Sequence, residues 1–173
     1  YKATSTADFW RRWHITLGHF LRDYLYIPLG GSKNGISRQY FSLMATMSLS
    51  GIWHGAGWTF VLWGFQQGLF HWIHLSWSLF KRSISIPLKL PLWISTSLAI
   101  FLTFMAWVIG MVLFRAPDMY VAIDMYESML GLNGNGTREL IDIRDGLEGL
   151  LPLFVIVWFL PNSNQIMAQV KPI

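Results

Sequence analysis

The chain contains five histidines and no cysteine. Without thiols there is no Cys–His dyad, no disulfide and no zinc–thiolate site, so chemistry falls to histidine, hydroxyl and carboxylate. His54 stands in the run Ser48-Leu49-Ser50-Gly51-Ile52-Trp53-His54-Gly55-Ala56-Gly57-Trp58, where an uncharged stretch meets a glycine-rich break. Small residues let backbones approach closely, and an ionisable group in such apolar surroundings is a functional-site hypothesis. Imidazole there can act as a general base or a ligand. Ser50, four residues earlier, shares a helical face with His54 and raises a serine–histidine dyad. No G-x-S-x-G elbow accompanies it, and Ser48 and Ser50 equally suit helix packing. His71 and His74 lie one turn apart. With His54 or His14 they have the makings of a haem or metal pair, but histidines beside Trp72 and Trp77 also fit an interfacial aromatic belt. The expectation is that no metal is bound.

His14 is read from its helix. Advancing by about 100° per residue over residues 8–26 gathers Asp8, Arg12, His19, Arg22 and Asp23 close to Arg11, and gathers Phe9, Trp10, Trp13, Leu17, Phe20, Leu21, Tyr24 and Leu25 opposite. His14 falls inside the apolar arc, His19 falls on the charged face, and Ile15 is the one apolar residue out of place. A buried imidazole costs free energy unless paired, so His14 is either satisfied by a carbonyl or neighbouring side chain, or held for function. Arg11, Arg12 and Arg22 suit lipid head groups or a phosphorylated donor such as a coenzyme A, and simple anchoring at a membrane surface is the plainer role.

The elements that must position these groups follow from composition. Of 173 residues, 53% are hydrophobic and 16% aromatic. Charged residues make up 13%, against roughly 25% in average globular proteins, and the mean hydropathy is +0.40. These values predict an all-α integral membrane protein, a polytopic helical bundle with amphipathic interfacial helices. A net charge of +4 is compatible with nucleic acid, but the basic residues sit between apolar runs rather than on one solvated face, so no nucleic-acid role is expected. Residues 1–38 read as an interfacial helix and loop. Transmembrane spans are predicted at 39–54, 58–80, 92–114 and 147–160, the last a shorter run with Pro152 inside it. Residues 118–130 place Met119, Ile123, Tyr126 and Leu130 opposite Asp124, Glu127 and Ser128, predicting an amphipathic helix capped at Gly131. The opening at Tyr1, with no Met and no leader pattern, reads as that of a fragment.

The basic residues test this topology independently of hydropathy. Lys2, Arg11, Arg12, Arg22, Lys33, Arg38, Lys81, Arg82, Lys89 and Lys171 fall on one side, and only Arg115, Arg138 and Arg144 on the other. Ten against three places residues 1–38, the loop at 81–90 and the C-terminus in the cytoplasm.

The motifs carry a resemblance. Asp8-Phe9-Trp10-Arg11-Arg12-Trp13-His14-Ile15-Thr16-Leu17, continued by Arg22-Asp23-Tyr24-Leu25-Tyr26-Ile27-Pro28-Leu29-Gly30-Gly31, resembles the membrane-bound O-acyltransferase (MBOAT) family, and within it the bacterial alginate O-acetyltransferase branch. Gly51-Ile52-Trp53-His54-Gly55-Ala56-Gly57-Trp58-Thr59-Phe60 is similar to the family's second signature, as are Phe114-Arg115-Ala116 and Pro161-Asn162-Ser163 further on. The resemblance implies a C-terminal part of a chain well over twice this length, with His54 as the essential catalytic residue and His14 in the same intramembrane site. It implies a cytoplasmic acyl thioester donor such as acetyl-CoA, no bound cofactor, and a hydroxyl acceptor on an exported or cell-wall polysaccharide. The implied partners are membrane lipid, the N-terminal remainder of the chain and a periplasmic acetyl-relay protein, at the bacterial inner membrane. Trp53, Trp13, Arg12 and Arg22, flanking the two histidines, are the candidate substrate-binding residues. One departure stands at Trp63-Gly64-Phe65-Gln66-Gln67-Gly68, where related bacterial sequences often carry histidine at the position of Gln67, which weakens a metal or second-base role there. The rival from another class is a transporter or channel module with proton-relaying histidines.

Cysteines introduced at Asn34 and at Asn135 should react with an impermeant thiol reagent from opposite sides of the membrane, because three predicted spans separate them. Labelling of both from one side would remove a span.

Overall fold

The structure, a computed structural model, describes residues 2–83, 91–132, 143–161 and 166–167. Among these residues every regular element is helical: α1 (Thr6–Arg12), α2 (Ile15–Leu21), a π-helical turn (Arg22–Tyr26), α3 (Ile36–His54), α4 (Trp58–Ser83), α5 (Leu92–Arg115), α6 (Met119–Met129) and α7 (Ile143–Phe159). Residues 3–132 form one compact unit, and α7 belongs to a second. Residues 84–90 of the predicted loop, 133–136 of the Gly/Asn stretch, and Asn162 and Ser163 of the last motif lie outside the described residues.

The first unit is organised by the hairpin of α3 on α4. A Cβ on Gly51 would stand against the Phe60 carbonyl and 2.9 Å from the Gly64 Cα, and one on Gly64 would stand 2.5 Å from the Met47 carbonyl oxygen. The two backbones therefore touch, as small-residue contacts allow. Further along, the Tyr40 and Ser76 hydroxyls share a hydrogen bond of 2.8 Å and the Tyr40 ring lies against Trp72. The hairpin buries polar side chains, Ser42, Thr46 and Ser50 of α3 and Thr59, Gln67 and His71 of α4, and turns Phe41, Leu49, Ile52, Phe65 and Trp72 outward.

That inversion explains a difference from expectation. Among the described residues one helix, α5, is both long and apolar enough to cross a membrane. At 19 and 26 residues α3 and α4 have the length, but the Ser, Thr, Gln, His and Gly that line their contact lower their hydropathy. In α7 the apolar stretch is Glu148–Phe159, about 18 Å of helix against a hydrocarbon core of about 30 Å.

On the other side of α4, Trp63, Val112, Leu113, Ala116 and Ala122 form an apolar cluster that brings α5 and α6 together, with Trp10, Phe114, Met119 and Tyr126 packed around it. The Asp118 side chain caps α6 by accepting from the Val121 N–H. Gly131, with φ of +73°, ends it in a Schellman motif in which Leu132 N–H donates to the Glu127 carbonyl and Gly131 N–H to that of Ser128. The buried stripe of α6 is Met119, Ala122 and Tyr126; the expected Ile123 and Leu130 are exposed. A hydrogen bond of 2.8 Å from the Tyr126 hydroxyl to the Ile109 carbonyl fixes that rotation, and burial raises the phenol's pKa.

Gly51→Leu or Gly64→Leu should force α3 and α4 apart and cost at least about 1–3 kcal/mol, the usual toll of overpacking. The expected reading is a lower melting temperature and less folded protein on size-exclusion chromatography in detergent. Wild-type values for both variants would mean that the close contact does not support the hairpin.

Candidate active site

His54 is the last residue of α3. Its ring is met edge-on by Trp53, Trp63 and Phe114, with centroids at 4.9, 5.2 and 5.1 Å and interplanar angles of 76°, 87° and 79°. Trp63 lies one residue before the Gly64 contact and Phe114 comes from the end of α5, so three helices converge on the imidazole. Trp63 and Phe114 also pack on each other at 5.0 Å. Such a box holds the ring in one orientation while offering its nitrogens no competing acceptor.

His14 reaches the site by a route different from the expected one. A single helix over residues 8–26 does not form. The α1 helix, whose first turn is capped by the Ser5 hydroxyl accepting from Asp8 N–H, ends at Trp13 in an extended conformation. His14 follows in the left-handed region, φ +48° and ψ +51°, the one such non-glycine among the described residues, and α2 starts after it. Residues 22–26 then wind as a π-turn, with Ile27 N–H donating to the Arg22 carbonyl. Histidine is among the residues that tolerate the left-handed region, and a strained residue of this kind is a pointer to function.

His14 and His54 line one cavity of about 70 Å³, together with Trp13, Leu17, Trp63 and Gln67 among others. A larger cavity of about 220 Å³ is also lined by Trp10, together with Arg11, His19 and Arg22 and with Leu43, Thr46 and Met47 of α3. His19, which is exposed, therefore lines a cavity rather than an open face. Ile15 lines the same cavity, which accounts for the apolar residue out of place on the charged arc. Arg22 is hydrogen-bonded through its guanidinium to Asp23 at 2.7 Å, which holds the Asp23 carboxyl below its usual pKa. Arg11 approaches Asp8 only to 4.0 Å.

The other candidates separate. Trp13 lines the histidine cavity, whereas Trp53 touches the His54 ring but is 63% exposed and lies outside the lining. Arg12 lines neither cavity; its Nε donates to Asp8 at 2.9 Å. Ser50 is fully buried with its hydroxyl bonded to no described residue, His54 included, so the dyad does not form. His71 and His74 do not line the histidine cavity, and His71 is buried with Nε2 unpartnered. Among the described residues no group of three His, Asp or Glu could hold a metal ion. Trp10, Trp63 and Phe114 escaped the reading of the sequence as site residues. Trp63 and Phe114 were visible only as members of the Trp63-Gly64 and Phe114-Arg115-Ala116 motifs.

The model of the membrane-bound O-acyltransferase family matches residues 1–115. A peptidoglycan O-acetyltransferase of Helicobacter pylori is 42% identical over 135 residues, which cover 78% of this chain and 24% of that protein. A Pseudomonas aeruginosa protein named "Probable alginate O-acetylase AlgI" is 40% identical over 159 residues, 87% of this chain and 27% of its own length. The membrane-bound O-acyltransferase GUP1 of Saccharomyces cerevisiae is 39% identical over 66 residues, 38% of this chain and 11% of that protein. The chain thus spans about a quarter of the length of the two bacterial relatives. It belongs to the membrane-bound O-acyltransferase family.

Proposed function

We propose that the protein transfers an acetyl group from a cytoplasmic thioester, acetyl-CoA or another acyl thioester, toward a hydroxyl of an exported or cell-wall polysaccharide. The observation that carries this reading is the single cavity walled by His14 and His54. The similarity to proteins named for peptidoglycan and alginate acetylation supports the polysaccharide acceptor. In this reading neutral His54 accepts the proton of the acceptor hydroxyl as its oxygen attacks the acyl carbonyl, and His14 orients the acceptor or donor. Imidazole exchanges a proton readily, as a general base should, and Trp63 and Phe114 hold the His54 ring in place.

The donor enters from the cytoplasmic side, where the larger cavity combines Arg11, Arg22 and the imidazole of His19 with the apolar side chains of Leu43 and Met47. Trp13 contacts substrate in the histidine cavity, and Trp53 steadies His54. Arg12, bound to Asp8, anchors α1 at the lipid head groups. The protein is a multi-pass bundle of the bacterial inner membrane. The polar interior and apolar exterior of the α3–α4 hairpin support that placement, because lipid satisfies the outward apolar side chains. The N-terminal remainder of the chain completes the bundle, and a periplasmic partner relays the acetyl group onward. No bound cofactor or metal takes part.

Native membranes carrying the full-length protein should transfer label from radiolabelled acetyl-CoA to polysaccharide. His54→Ala should lower that rate by about 10² to 10⁴, with the protein still inserted, because a general base is worth that much. His54→Gln should be nearly as inactive. His14→Asn, which keeps the left-handed backbone but loses the imidazole, should also be severely impaired. Full turnover in His54→Gln would reduce His54 to a hydrogen-bonding group and make His14 the leading base.

A further inference from the structure

Gln67 is a polar side chain that α4 presents to the histidine cavity. It lies on α4 one turn after Trp63, is 7% exposed, and hydrogen-bonds to no described residue. It lines the histidine cavity, and also an adjoining one walled by Thr6 and Thr103. On the α5 side its amide occupies space left by a missing side chain: a Cβ on Gly110 would stand 2.6 Å from Nε2. Buried amides are ordinarily paired. This one keeps its hydrogen-bonding capacity open on the wall of the cavity that His14 and His54 share, where a ligand can meet it.

We propose that Gln67 is the catalytic residue that holds the oxyanion, its amide N–H donating to the acyl carbonyl oxygen during attack. The inference rests on the acyltransferase reading. The acceptor oxygen bonds to the carbonyl carbon as its proton passes to His54, and the carbonyl π pair moves onto oxygen, where Gln67 holds it. Collapse reforms the carbonyl and expels the thiolate, which takes the proton back from His54. One ester and one thiol result. Glutamine suits this role beside a general base because it does not titrate, so it remains a donor when His54 carries the proton. Its rigid setting against α5 means that no reorganisation is needed at the moment of attack.

The test uses native membranes with the full-length protein and radiolabelled acetyl-CoA. Gln67→Leu should lower kcat by about 10² to 10³ while leaving the KM for acetyl-CoA and the amount of inserted protein near wild type. Gln67→Glu, of the same shape but without an N–H to donate, should not restore it. Gly110→Ala should displace the amide and lower kcat, yet add nothing in a Gln67→Ala background, where there is no amide left to displace. If Gln67→Leu and Gly110→Ala turn over at the wild-type rate while His54→Ala is inactive, Gln67 has no such role and the acyltransferase reading stands. A Gln67→Leu variant that loses only inserted protein, with kcat per molecule unchanged, likewise makes the residue structural. Wild-type membranes that transfer no label overturn both readings.

Discussion

Gly51 and Gly64 bring the backbones of α3 and α4 into contact, and the geometry of the site follows from that approach. His54 stands three residues beyond Gly51, less than one helical turn, and Trp63 is the residue before Gly64. Fixing the two glycines therefore fixes the imidazole against the indole. The turn between the helices is closed in the same way: the Phe60 ring lies 2.6 Å from where a Gly55 Cβ would project, and Phe60 in turn packs on Phe114. Gly110 plays the corresponding part on α5, where the absence of a side chain admits the Gln67 amide. In each case the glycine serves close approach rather than an unusual dihedral.

Polar groups then accumulate where a soluble domain would place its apolar core. Ser42, fully buried, lies within hydrogen-bond distance of the Arg38 and Leu29 carbonyls and ties the turn after the π-helical segment to α3. The Arg38 guanidinium donates to the same Leu29 carbonyl. Thr103 donates to the Ala99 carbonyl within its own helix. Self-satisfaction of this kind removes the cost of burying hydroxyls without calling on water. Among the groups left unpartnered, the Trp10 indole N–H and the Thr46 hydroxyl belong to residues that line the cavities, whereas Ser50 and His71 do not.

Trp10 separates those cavities. It lines the cationic cavity, the histidine cavity and the small one beyond Gln67, and it rests against Trp63 at 6.0 Å. The left-handed turn at His14 is what allows this. A continuous helix would carry residues 15–21 along the axis of α1, whereas the break folds α2 beside α1, so that the two short helices present different side chains to two different cavities.

Element identity was largely legible in the sequence. Uncharged length, the Gly55-Ala56-Gly57 break and the cap at Gly131 delimit α3 to α6 to within a few residues, because helix ends depend on local capping and on glycine. The two histidine motifs and their family resemblance were also there to be read, since they reside in contiguous residues. The break at Trp13–His14 was not, for neither glycine nor proline marks it, and His14 adopts the left-handed conformation all the same. The buried stripe of α6 was likewise settled by a tertiary hydrogen bond, Tyr126 to Ile109, which outweighs the local apolar pattern. Sequence alone thus determined that α3 to α6 are helical and which residues have chemistry to offer. Only the tertiary structure decided which of them share a cavity, because His14, His54 and Gln67 lie on three different segments, and their meeting depends on how closely the helices between them can pack.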